Sequence, residues 1–356
     1  MRAFAVTEGS STVTELDLPT PQPSGTEVLL KVIRCGVCHT DTHLRDGGYD
    51  LGRRGKMRLS DRGVTYPLVM GHEVVGVVEE VGPDVVDVKV GDVRLIYPWV
   101  GCGKCHHCQA GRDNYCAAGK NLGVARRGGY ADHILVPDAK YLIDIAGLDP
   151  SWAATMACSG LTAYSAANKV LPLPPDQPIV VIGAGGVGLT AVATLKALGH
   201  NRICVVDVSP GNLDIAIRLG ASDTVLSGDD TAREIVKTCG GPVEAVIDFV
   251  NNDTTARAAF DSLRKGGHLV QVGLFGGEFV IPTALMALKM LTISGSFVGS
   301  LDELRAVAAL AKQGALPAIP IIEEPLDATS VNNALDKLVH GGVAGRIVLQ
   351  ASPSSA

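Results

Sequence analysis

The chain has 356 residues, of which 46% are hydrophobic and 4% aromatic, so we expect two globular domains with largely aliphatic cores. Its formal net charge of -6 argues against nucleic acids and anionic membranes as partners. No apolar run has the length of a membrane span, and the N-terminus lacks the apolar segment of a secretory signal. We therefore expect a cytoplasmic protein whose thiols stay reduced.

Short strands separated by turns dominate the N-terminal half of the chain. The pattern predicts one strand over residues 26–33, a second over 74–81 and a third within 88–96, after a Gly-Pro-Asp turn. Short strands of this kind are typical of an antiparallel or barrel-like domain.

The pattern changes after a proline-rich break at residues 171–178. From there, wholly apolar strands alternate with helices as far as the strand-like segment 291–299, which predicts a parallel sheet covered on both faces. A helix over 301–314 and a strand-like segment at 345–350 follow, and this tail could rejoin the first domain. The alternating segments are strands at 179–183, 202–207, 243–250 and 268–274, and helices at 186–199, 210–220 and 256–267.

A glycine-rich motif lies between the first of these strands and its helix. Gly183, Gly185 and Gly188 have the G-x-G-x-x-G spacing of a dinucleotide site. The first glycine permits a tight turn, the second lets the backbone approach a pyrophosphate, and the third lets the helix pack on the sheet. Asp207, at the end of the next strand, can accept hydrogen bonds from a ribose and would repel a 2′-phosphate, which favours NAD over NADP. The alternative is a glycine-rich turn that binds no ligand.

Four of the nine cysteines follow one another with the spacing C-x2-C-x2-C-x7-C. In a reducing compartment such a cluster indicates a metal site rather than disulfides. Four thiolates suffice for a structural zinc, whereas the bacterial iron–sulfur signature ends in C-x3-C-P. The sequence therefore favours zinc at Cys102, Cys105, Cys108 and Cys116, with His106 and His107 facing solvent.

A second set of metal-binding residue types is dispersed along the chain. The segment CGVCHTDTH holds Cys35, Cys38, His39, Thr40, Asp41 and His43, GHEVVG holds His72 and Glu73, and ACSGLTAY holds Cys158. Taken singly, Cys35 and Cys158 are typical of buried core cysteines, and His72 could be a structural histidine. Their spacing alone does not show whether Cys38, His72 and Cys158 meet.

Together these motifs resemble those of the zinc-containing medium-chain alcohol dehydrogenases. The resemblance covers essentially the whole chain and rests, in family order, on GVCHTDTH, GHEVVGVVEEVG, VGDVR, the four-cysteine loop, CSGLTAYSA and GAGGVG. YPWVGCGKC, IDFVNN and VQVGLFGG are similar to the tetrameric NAD-dependent branch of archaea and bacteria. The resemblance implies an α/β protein with a GroES-like β-rich catalytic domain (residues 1–155 and 297–356) and a doubly wound Rossmann domain that binds NAD (residues 156–296).

The resemblance implies two zinc ions per chain. Cys38, His72 and Cys158 would bind a catalytic zinc and leave one coordination position open for water or substrate. Glu73 would lie beside this zinc as an outer group. The four-cysteine loop would hold a structural zinc.

The resemblance also implies roles for four further residues around the catalytic zinc. Asp41 would accept a hydrogen bond from His72 and set its tautomer. Thr40 would contact the substrate oxygen, and His43 would pass the proton onward through the cofactor ribose. Trp99 would line the substrate pocket, although a packing role at a strand end is the simpler interpretation.

The implied cofactor site joins several segments of the chain. Residues 273–277 and 295–299 would border the nicotinamide, and His39 stands where some relatives have an arginine against the pyrophosphate. The implied contacts are His39, Gly183, Gly185, Gly186, Val187, Gly188, Asp207, Val272, Gly273 and Val298. The implied assembly is a homotetramer, in which the candidate edge strand 291–299 pairs with a second copy.

Residues 45–63 form a basic segment that is longer than in many relatives. It carries Arg45, Arg53, Arg54, Lys56, Arg58 and Arg62 against three acidic residues. We interpret it as a solvated loop; the alternative is a lid over the substrate entrance that favours an anionic substrate.

Three other functions fit parts of the pattern. A polyol dehydrogenase of the same superfamily is disfavoured because residue 158 is cysteine and not glutamate. A catalytically silent nucleotide-binding relative would be expected to lose Cys38, His72 or Thr40, and a zinc-free quinone reductase-type relative would lack both metal sets. The sequence therefore favours reversible hydride transfer between a primary or secondary alcohol and NAD, without indicating which alcohol.

Overall fold

Eighteen strands and eleven helices make up the part of the chain that the computed structural model describes, residues 1–352. The strands are β1 (Arg2–Val6), β2 (Val13–Asp17), β3 (Val28–Val37), β4 (Gly48–Asp50), β5 (Lys56–Arg58), β6 (Leu68–Val69), β7 (Glu73–Val81), β8 (Val93–Ile96), β9 (His133–Val136), β10 (Leu142–Asp144), β11 (Ile179–Ile182), β12 (Ile203–Asp207), β13 (Asp223–Leu226), β14 (Val243–Asp248), β15 (Leu263–Gln271), β16 (Thr292–Gly295), β17 (Ile321–Pro325) and β18 (Arg346–Gln350). The helices are α1 (His39–Arg45), α2 (His106–Gln109), α3 (Pro150–Thr155), α4 (Leu161–Val170), α5 (Gly186–Ala197), α6 (Pro210–Leu219), α7 (Thr231–Thr238), α8 (Asp253–Ser262), α9 (Thr283–Leu288), α10 (Leu301–Lys312) and α11 (Ala328–His340).

The first large sheet has seven strands and is built around β3. Its main path runs β10-β8-β7-β3-β18-β17, and β9 pairs with β3 outside this path. All pairs are antiparallel except β17 with β18, so the C-terminal strands complete a sheet begun near the N-terminus. A smaller sheet, β2-β1-β6, packs on the same core.

The second large sheet has six parallel strands in the order β13-β12-β11-β14-β15-β16. Alternate residues of β11 enter two different cores: Ile179 and Val181 pack on one face, and Val180 and Ile182 on the other. Because both faces are covered, every position of such a strand is apolar. The predicted α/β class, with a GroES-like part and a doubly wound parallel sheet, is confirmed; the boundary residues between the domains stay a prediction.

One predicted helix was too long at its C-terminal end. The pattern indicated a helix over 256–267, but α8 ends at Ser262 and the chain enters β15 at Leu263. Two neighbouring glycines weaken a helix here, and Gly266 has a φ of 81°, which belongs to the left-handed region. Pairing with the neighbouring parallel strand β14 is stronger than the local helical tendency.

Two irregular elements bring side chains to the region between the sheets. A π-helical turn, Met156–Gly160, joins α3 to α4 and carries Cys158. The basic segment 45–63 contains the hairpin of β4 and β5, so it is an ordered projection and not only a solvated loop. Within residues 1–352, no helix combines the length and the apolarity that crossing a bilayer requires.

Candidate active site

Cys38 lies where β3 ends and α1 begins. It is the N-cap of α1, and its sulfur accepts a hydrogen bond from the Thr40 backbone N–H at 3.4 Å. Asp41 completes the cap by accepting the Cys38 backbone N–H at 2.9 Å. The cap satisfies backbone donors that a helix start leaves free, and it fixes the sulfur at the base of the helix.

His72 reaches the same place from the start of β7. Its side chain is fully buried, and Nδ1 lies 3.3 Å from Asp41 Oδ1. The Tyr130 hydroxyl donates to Asp41 Oδ2 at 3.0 Å, which holds the carboxylate from the other side. The other ring nitrogen, His72 Nε2, is buried and has no hydrogen-bond partner among the described residues. A buried imidazole nitrogen without a partner is costly unless it binds something that is not protein.

Cys158 completes this constellation from the π-helical turn. Its sulfur lies 3.8 Å from that of Cys38, and the donor atoms of Cys38, His72, Glu73 and Cys158 all lie within 4.8 Å of one another. Two thiolates on one tetrahedral zinc, with Zn–S bonds of about 2.3 Å, would be about 3.8 Å apart. The side chains present therefore fit a zinc ion.

Glu73 is the fourth potential donor, and it is engaged on one side. Its Oε1 accepts a short hydrogen bond from Arg346, the first residue of β18, while its Oε2 is buried without a partner. A Cβ atom on Gly36 would overlap Glu73 Oε2, so glycine is needed opposite this carboxylate. Burial raises the pKa of Glu73 to about 7, against the opposing effect of the Arg346 charge.

The two thiols of the buried cluster are electrostatically unequal. The Cys158 thiol donates toward Cys38 and lowers the pKa of Cys38 well below its usual value, although burial opposes this. The same contact, together with burial, raises the pKa of Cys158. The contact therefore favours ionisation of Cys38 over that of Cys158, and a divalent cation would favour the thiolate form of both.

The four-cysteine loop forms a separate, half-buried cluster. The sulfur of Cys105 lies 3.5 Å from that of Cys108 and 3.8 Å from that of Cys116, and Cys102 lies 4.0 Å from Cys108. These separations fit four thiolates around one tetrahedral zinc. His106 is exposed, as expected, whereas the half-buried ring of His107 stacks on Tyr115. All nine cysteines are free of disulfides.

A cavity of about 100 Å³ opens beside Cys38 and Cys158. Thr40 and His43 line one wall, and Val187 together with residues from 272–275 and 296–298 lines the other. The two glycine-bearing segments that the resemblance placed beside the nicotinamide therefore meet the cysteines here. Val298 is held at a φ of 48°, a strained conformation for a β-branched residue and one that clusters at functional sites.

The histidines of α1 are packed among aromatic rings. His39 stacks on Phe275 with 4.6 Å between ring centroids, and His43 lies 4.9 Å from the Tyr49 ring. Burial lowers the pKa of His43, and the neighbouring His39 lowers it further. His43 Nε2 is buried without a hydrogen-bond partner in the described chain, so at neutral pH the neutral ring can accept a proton.

Trp99 does not line the 100 Å³ cavity directly. It is buried, its indole N–H donates to the Ala157 carbonyl at 3.1 Å, and its ring centroid lies 5.4 Å from His72. The half-exposed Phe297 ring lies against it at 5.6 Å and does line the cavity. Phe297 is therefore a stronger candidate for substrate contact than the tryptophan, whose substrate role stays a prediction.

The glycine-rich turn has the shape that a dinucleotide needs. Gly183 has a φ of 91°, a Cβ on Gly188 would overlap the Gly183 carbonyl, and a Cβ on Gly185 would meet nothing within 4 Å. Of these three glycines, only Gly185 borders open space, and this is where a pyrophosphate would approach the N-terminus of α5. Asp207 lies beneath the turn and accepts N–H groups from Ala184 at 2.6 Å and Ser209 at 2.8 Å.

Arg346 is a site residue that the sequence pattern did not reveal. It is 4% exposed and forms an ion pair with Glu73. Its side chain also lies so close to Gly186 that a Cβ atom on that glycine would overlap it. It therefore joins the metal-ligand cluster to the N-terminus of the dinucleotide-binding helix. Arg346 follows Glu73 by 273 residues, and only the pairing of β18 with β3 brings it there.

The basic segment 45–63 reaches across to the cofactor-binding half. Arg53 forms an ion pair with Glu278, and residues 49–57 share the walls of a cavity of about 820 Å³ with residues 273–281. This larger cavity has Gly273, Leu274 and Phe297 in common with the one at Cys38. The segment therefore lies beside the larger cavity, and whether it acts as a solvated loop or as a lid stays a prediction.

Comparison with known proteins gives one consistent result. Residues 24–146 match the alcohol dehydrogenase GroES-like domain, and residues 186–313 match the zinc-binding dehydrogenase domain. An NAD-dependent alcohol dehydrogenase of Sulfurisphaera tokodaii is 36% identical over 98% of this chain and 99% of its own, and one of Sulfolobus acidocaldarius is 38% identical over 94% and 95%. The crystal structure of the alcohol dehydrogenase of Aeropyrum pernix superimposes with a TM-score of 0.89 at 30% identity, covering 98% of this chain and all of the other. The chain belongs to the zinc-containing medium-chain alcohol dehydrogenases.

Proposed function

We propose that this chain oxidises an alcohol to an aldehyde or ketone, and runs the reverse reaction, at the cavity beside Cys38 and Cys158. The protein is a zinc- and NAD-dependent alcohol dehydrogenase. The observation that supports the site most directly is the convergence of two thiols and the unpartnered His72 Nε2 at a cavity whose opposite wall comes from the dinucleotide-binding half.

Cys38, His72 and Cys158 are the proposed ligands of the catalytic zinc, and the four-cysteine loop holds the structural zinc. When bound, the catalytic zinc supplies Lewis acidity that eases loss of the alcohol proton, and NAD supplies the hydride acceptor. Two thiolates balance the charge of a divalent ion. We leave Glu73 out of the ligand set because Arg346 holds it on the other side.

Thr40 and His43 are the proposed proton path. Both line the cavity, and the Thr40 hydroxyl can accept the proton of the substrate hydroxyl while it passes its own to a neighbour. His43 has a lowered pKa and a free Nε2, so it is neutral at pH 7 and able to take a proton toward solvent. Asp41 orients His72 and takes no part in the transfer.

The cofactor is held by contacts from both halves of the chain. The glycine-rich turn at Gly183–Gly188 receives the pyrophosphate, with Gly186 and Val187 at the helix start, and Asp207 receives the adenine ribose. Val272, Gly273 and Val298 hold the nicotinamide end beside the cysteines, and His39 contacts the pyrophosphate. Arg346, next to Gly186, adds a positive charge close to the pyrophosphate position.

The substrate class follows from the walls of the approach. Leu51, Leu274, Phe279 and Phe297 form an apolar part of the larger cavity, whose lining also includes charged and amide side chains. Its volume of about 820 Å³ is large enough for a drug-sized molecule. The proposed substrate is a medium or bulky alcohol, aliphatic or aromatic, whose apolar body packs on these four side chains.

We also propose that the protein assembles as a homotetramer through the edge of its parallel sheet. Strand β16 ends that sheet, and α9 beside it has no buried residue. Leu288 and Met290 expose 70% and 61% of their surface there. An unpaired strand edge beside exposed apolar side chains is typical of an interface with a second copy.

The nine unpaired cysteines support a reducing, cytoplasmic setting.

Metal content tests the two ligand sets separately. Elemental analysis of the purified protein should give about two zinc ions per chain. Cys158→Ala and Cys108→Ala should each lose one ion, and only the second should strongly lower thermal stability, because it releases a loop with little core of its own. Two retained zinc ions in either variant would contradict that ligand set; Cys204→Ala, a buried cysteine outside both sets, is the matched control.

A panel of alcohols assayed by NADH absorbance tests the proposed activity. The wild-type enzyme should oxidise medium-chain or aromatic alcohols, and His72→Ala should lower kcat/KM by about a thousandfold or more because the metal loses a ligand. NADH binding, followed by fluorescence, should persist in His72→Ala. Alcohol oxidation at the wild-type rate in this variant would refute the site, while His106→Ala should behave like the wild type.

The pH dependence of His43→Ala tests the proton path. In the wild type, kcat/KM for alcohol oxidation should fall as the pH drops through the lowered pKa of His43, because the protonated ring cannot accept a proton. His43→Ala should be slower by about a hundredfold near neutral pH. The deficit should narrow in alkaline solution, where solvent accepts the proton directly. Parallel pH profiles for the two enzymes would rule out the path.

Light scattering tests the assembly. The wild-type protein should have four times the mass of one chain, and Leu288→Asp should shift it to smaller species because a charge enters the apolar edge. Val86→Asp, at an apolar residue that is 84% exposed in the other half of the chain, should leave the mass unchanged. A monomeric wild type would overturn the proposal.

A further inference from the structure

We infer that a second cavity, which shares no lining residue with the active site, binds a small organic oxyanion and acts as an effector site. This cavity, here called the arginine cavity, has a volume of about 420 Å³. Its walls include Tyr66, Leu68, Arg126, Arg127, His133 and Leu135. Its volume is in the range of small-molecule sites.

The charge of this cavity is opposite to that of the whole chain. The protein carries a formal net charge of -6, yet no aspartate or glutamate lines the arginine cavity. Arg126 and Arg127 are adjacent in sequence, and neither guanidinium has an ion pair or hydrogen bond with a residue in the range 1–352. Two neighbouring unneutralised cations on a concave surface attract a counter-ion.

Two nitrogen atoms of the lining residues are buried and lack a partner within the described chain. One is Arg126 Nε, and the other is His133 Nδ1. The Glu79 carboxylate is not part of the lining. It lies 2.6 Å from His133 Nε2 and so pairs with that nitrogen and not with Nδ1. Buried polar atoms normally have partners, and the Arg126 Nε–H is a donor, so it indicates a ligand that accepts hydrogen bonds.

The shape of the donors and the remaining wall define the ligand class. Guanidinium groups bind carboxylate and phosphate oxygens through paired N–H donors. Tyr66, Pro67, Leu68 and Leu135 add an apolar wall, which favours an aromatic or aliphatic body on the anion. The expected ligand is therefore a phosphate monoester or a carboxylate with an apolar group of a few carbon atoms.

The loop that carries the two arginines is joined by backbone hydrogen bonds to β6 and to the linker that leads from β6 to His72. Directly after the two arginines, Gly128 N–H donates to the Val69 carbonyl at 2.8 Å and Gly129 N–H to the Gly71 carbonyl at 2.7 Å. Tyr130 then donates its hydroxyl to Asp41, the partner of His72. A ligand that draws Arg126 and Arg127 together acts on a loop that is hydrogen-bonded to the linker before His72, and we infer that its binding reaches the metal ligand through these bonds.

Calorimetric titration of the zinc-loaded, NADH-saturated protein tests the binding site, since NADH keeps the probes from the pyrophosphate position. Phenyl phosphate and benzoate are the two probes, and benzamide is their neutral counterpart. We expect one of the two anions to bind, and Arg126→Ala or Arg127→Ala to weaken its binding by about tenfold or more, the loss expected for a charged hydrogen bond. Arg126→Lys keeps the positive charge but removes the paired N–H donors of the guanidinium, so it should give an intermediate loss of affinity.

Arg218→Ala is the matched control, because it removes an exposed arginine of α6 on the other domain. Any of three results would overturn the site: equal anion affinity in the wild type, Arg126→Ala and Arg127→Ala, binding of benzamide as tight as that of the anion, or binding of neither anion. The effector role is read from turnover: the bound anion should change kcat/KM at least about twofold in the wild type and not in Arg126→Ala. Binding without a change in turnover would overturn that role. The titration does not depend on alcohol oxidation, so the site can fail or stand independently of the proposed function.

Discussion

The register of β3 against its two neighbours is the constraint on which the active site depends. Gly36 pairs with Glu73 of β7, and Val37 pairs with Ile347 of β18. Because of these pairings, Cys38, His72 and Arg346 emerge from three adjacent strands at one end of the sheet. A slip of one residue would turn every side chain of a strand to its other face. The wide apolar core beneath β3 is therefore also what holds the metal ligands in register.

The buried charges at this end of the sheet compensate one another. Arg346 and Glu73 are 5% and 0% exposed at their side chains and form an ion pair, while Asp41 is enclosed by His72, Tyr130 and the α1 cap. Buried ionic groups gain little net stability from one another, and removal of one partner leaves an uncompensated charge. We therefore interpret the cluster as positioning the metal-ligating side chains and not as stabilising the fold. It leaves two sulfurs, one imidazole nitrogen and Glu73 Oε2 outside its ion pairs, and the first three are the proposed ligands of a zinc ion.

The active site also depends on contact between the two halves of the chain. The cysteines come from the β3 end and the π-helical turn, whereas Val272, Phe275 and Phe297 come from the parallel sheet. The Arg53–Glu278 ion pair lies at the edge of this contact. Arg53 is 83% exposed at its side chain, so the pair adds little energy. The arginine cavity is lined by β6, which the linker ending at His72 joins to β7.

Features that depend on local spacing could be predicted from the amino-acid sequence. The glycine-rich turn, Asp207 at the next strand end, and the four-cysteine loop are short patterns whose residues meet through one turn or one strand–helix connection. The alternation of apolar strands and helices was enough to predict the doubly wound sheet, because burial on both faces leaves a continuous apolar signal. The resemblance to a known family then named Cys38, His72 and Cys158 together.

Features that depend on long-range pairing became visible only in the folded chain. The helix predicted over 256–267 ends early because the neighbouring strand β14 pairs with the residues after Ser262, a contact that local propensity does not contain. Arg346 joins Glu73 and Gly186 through the return of the last strand to the first sheet, and the unpaired nitrogens of Arg126 and His133 become visible only when their surroundings are known. Such contacts join residues that are far apart in the chain. The free energy that forms them comes from the burial of whole strands and not from the residues at the site. A local sequence pattern therefore does not predict them.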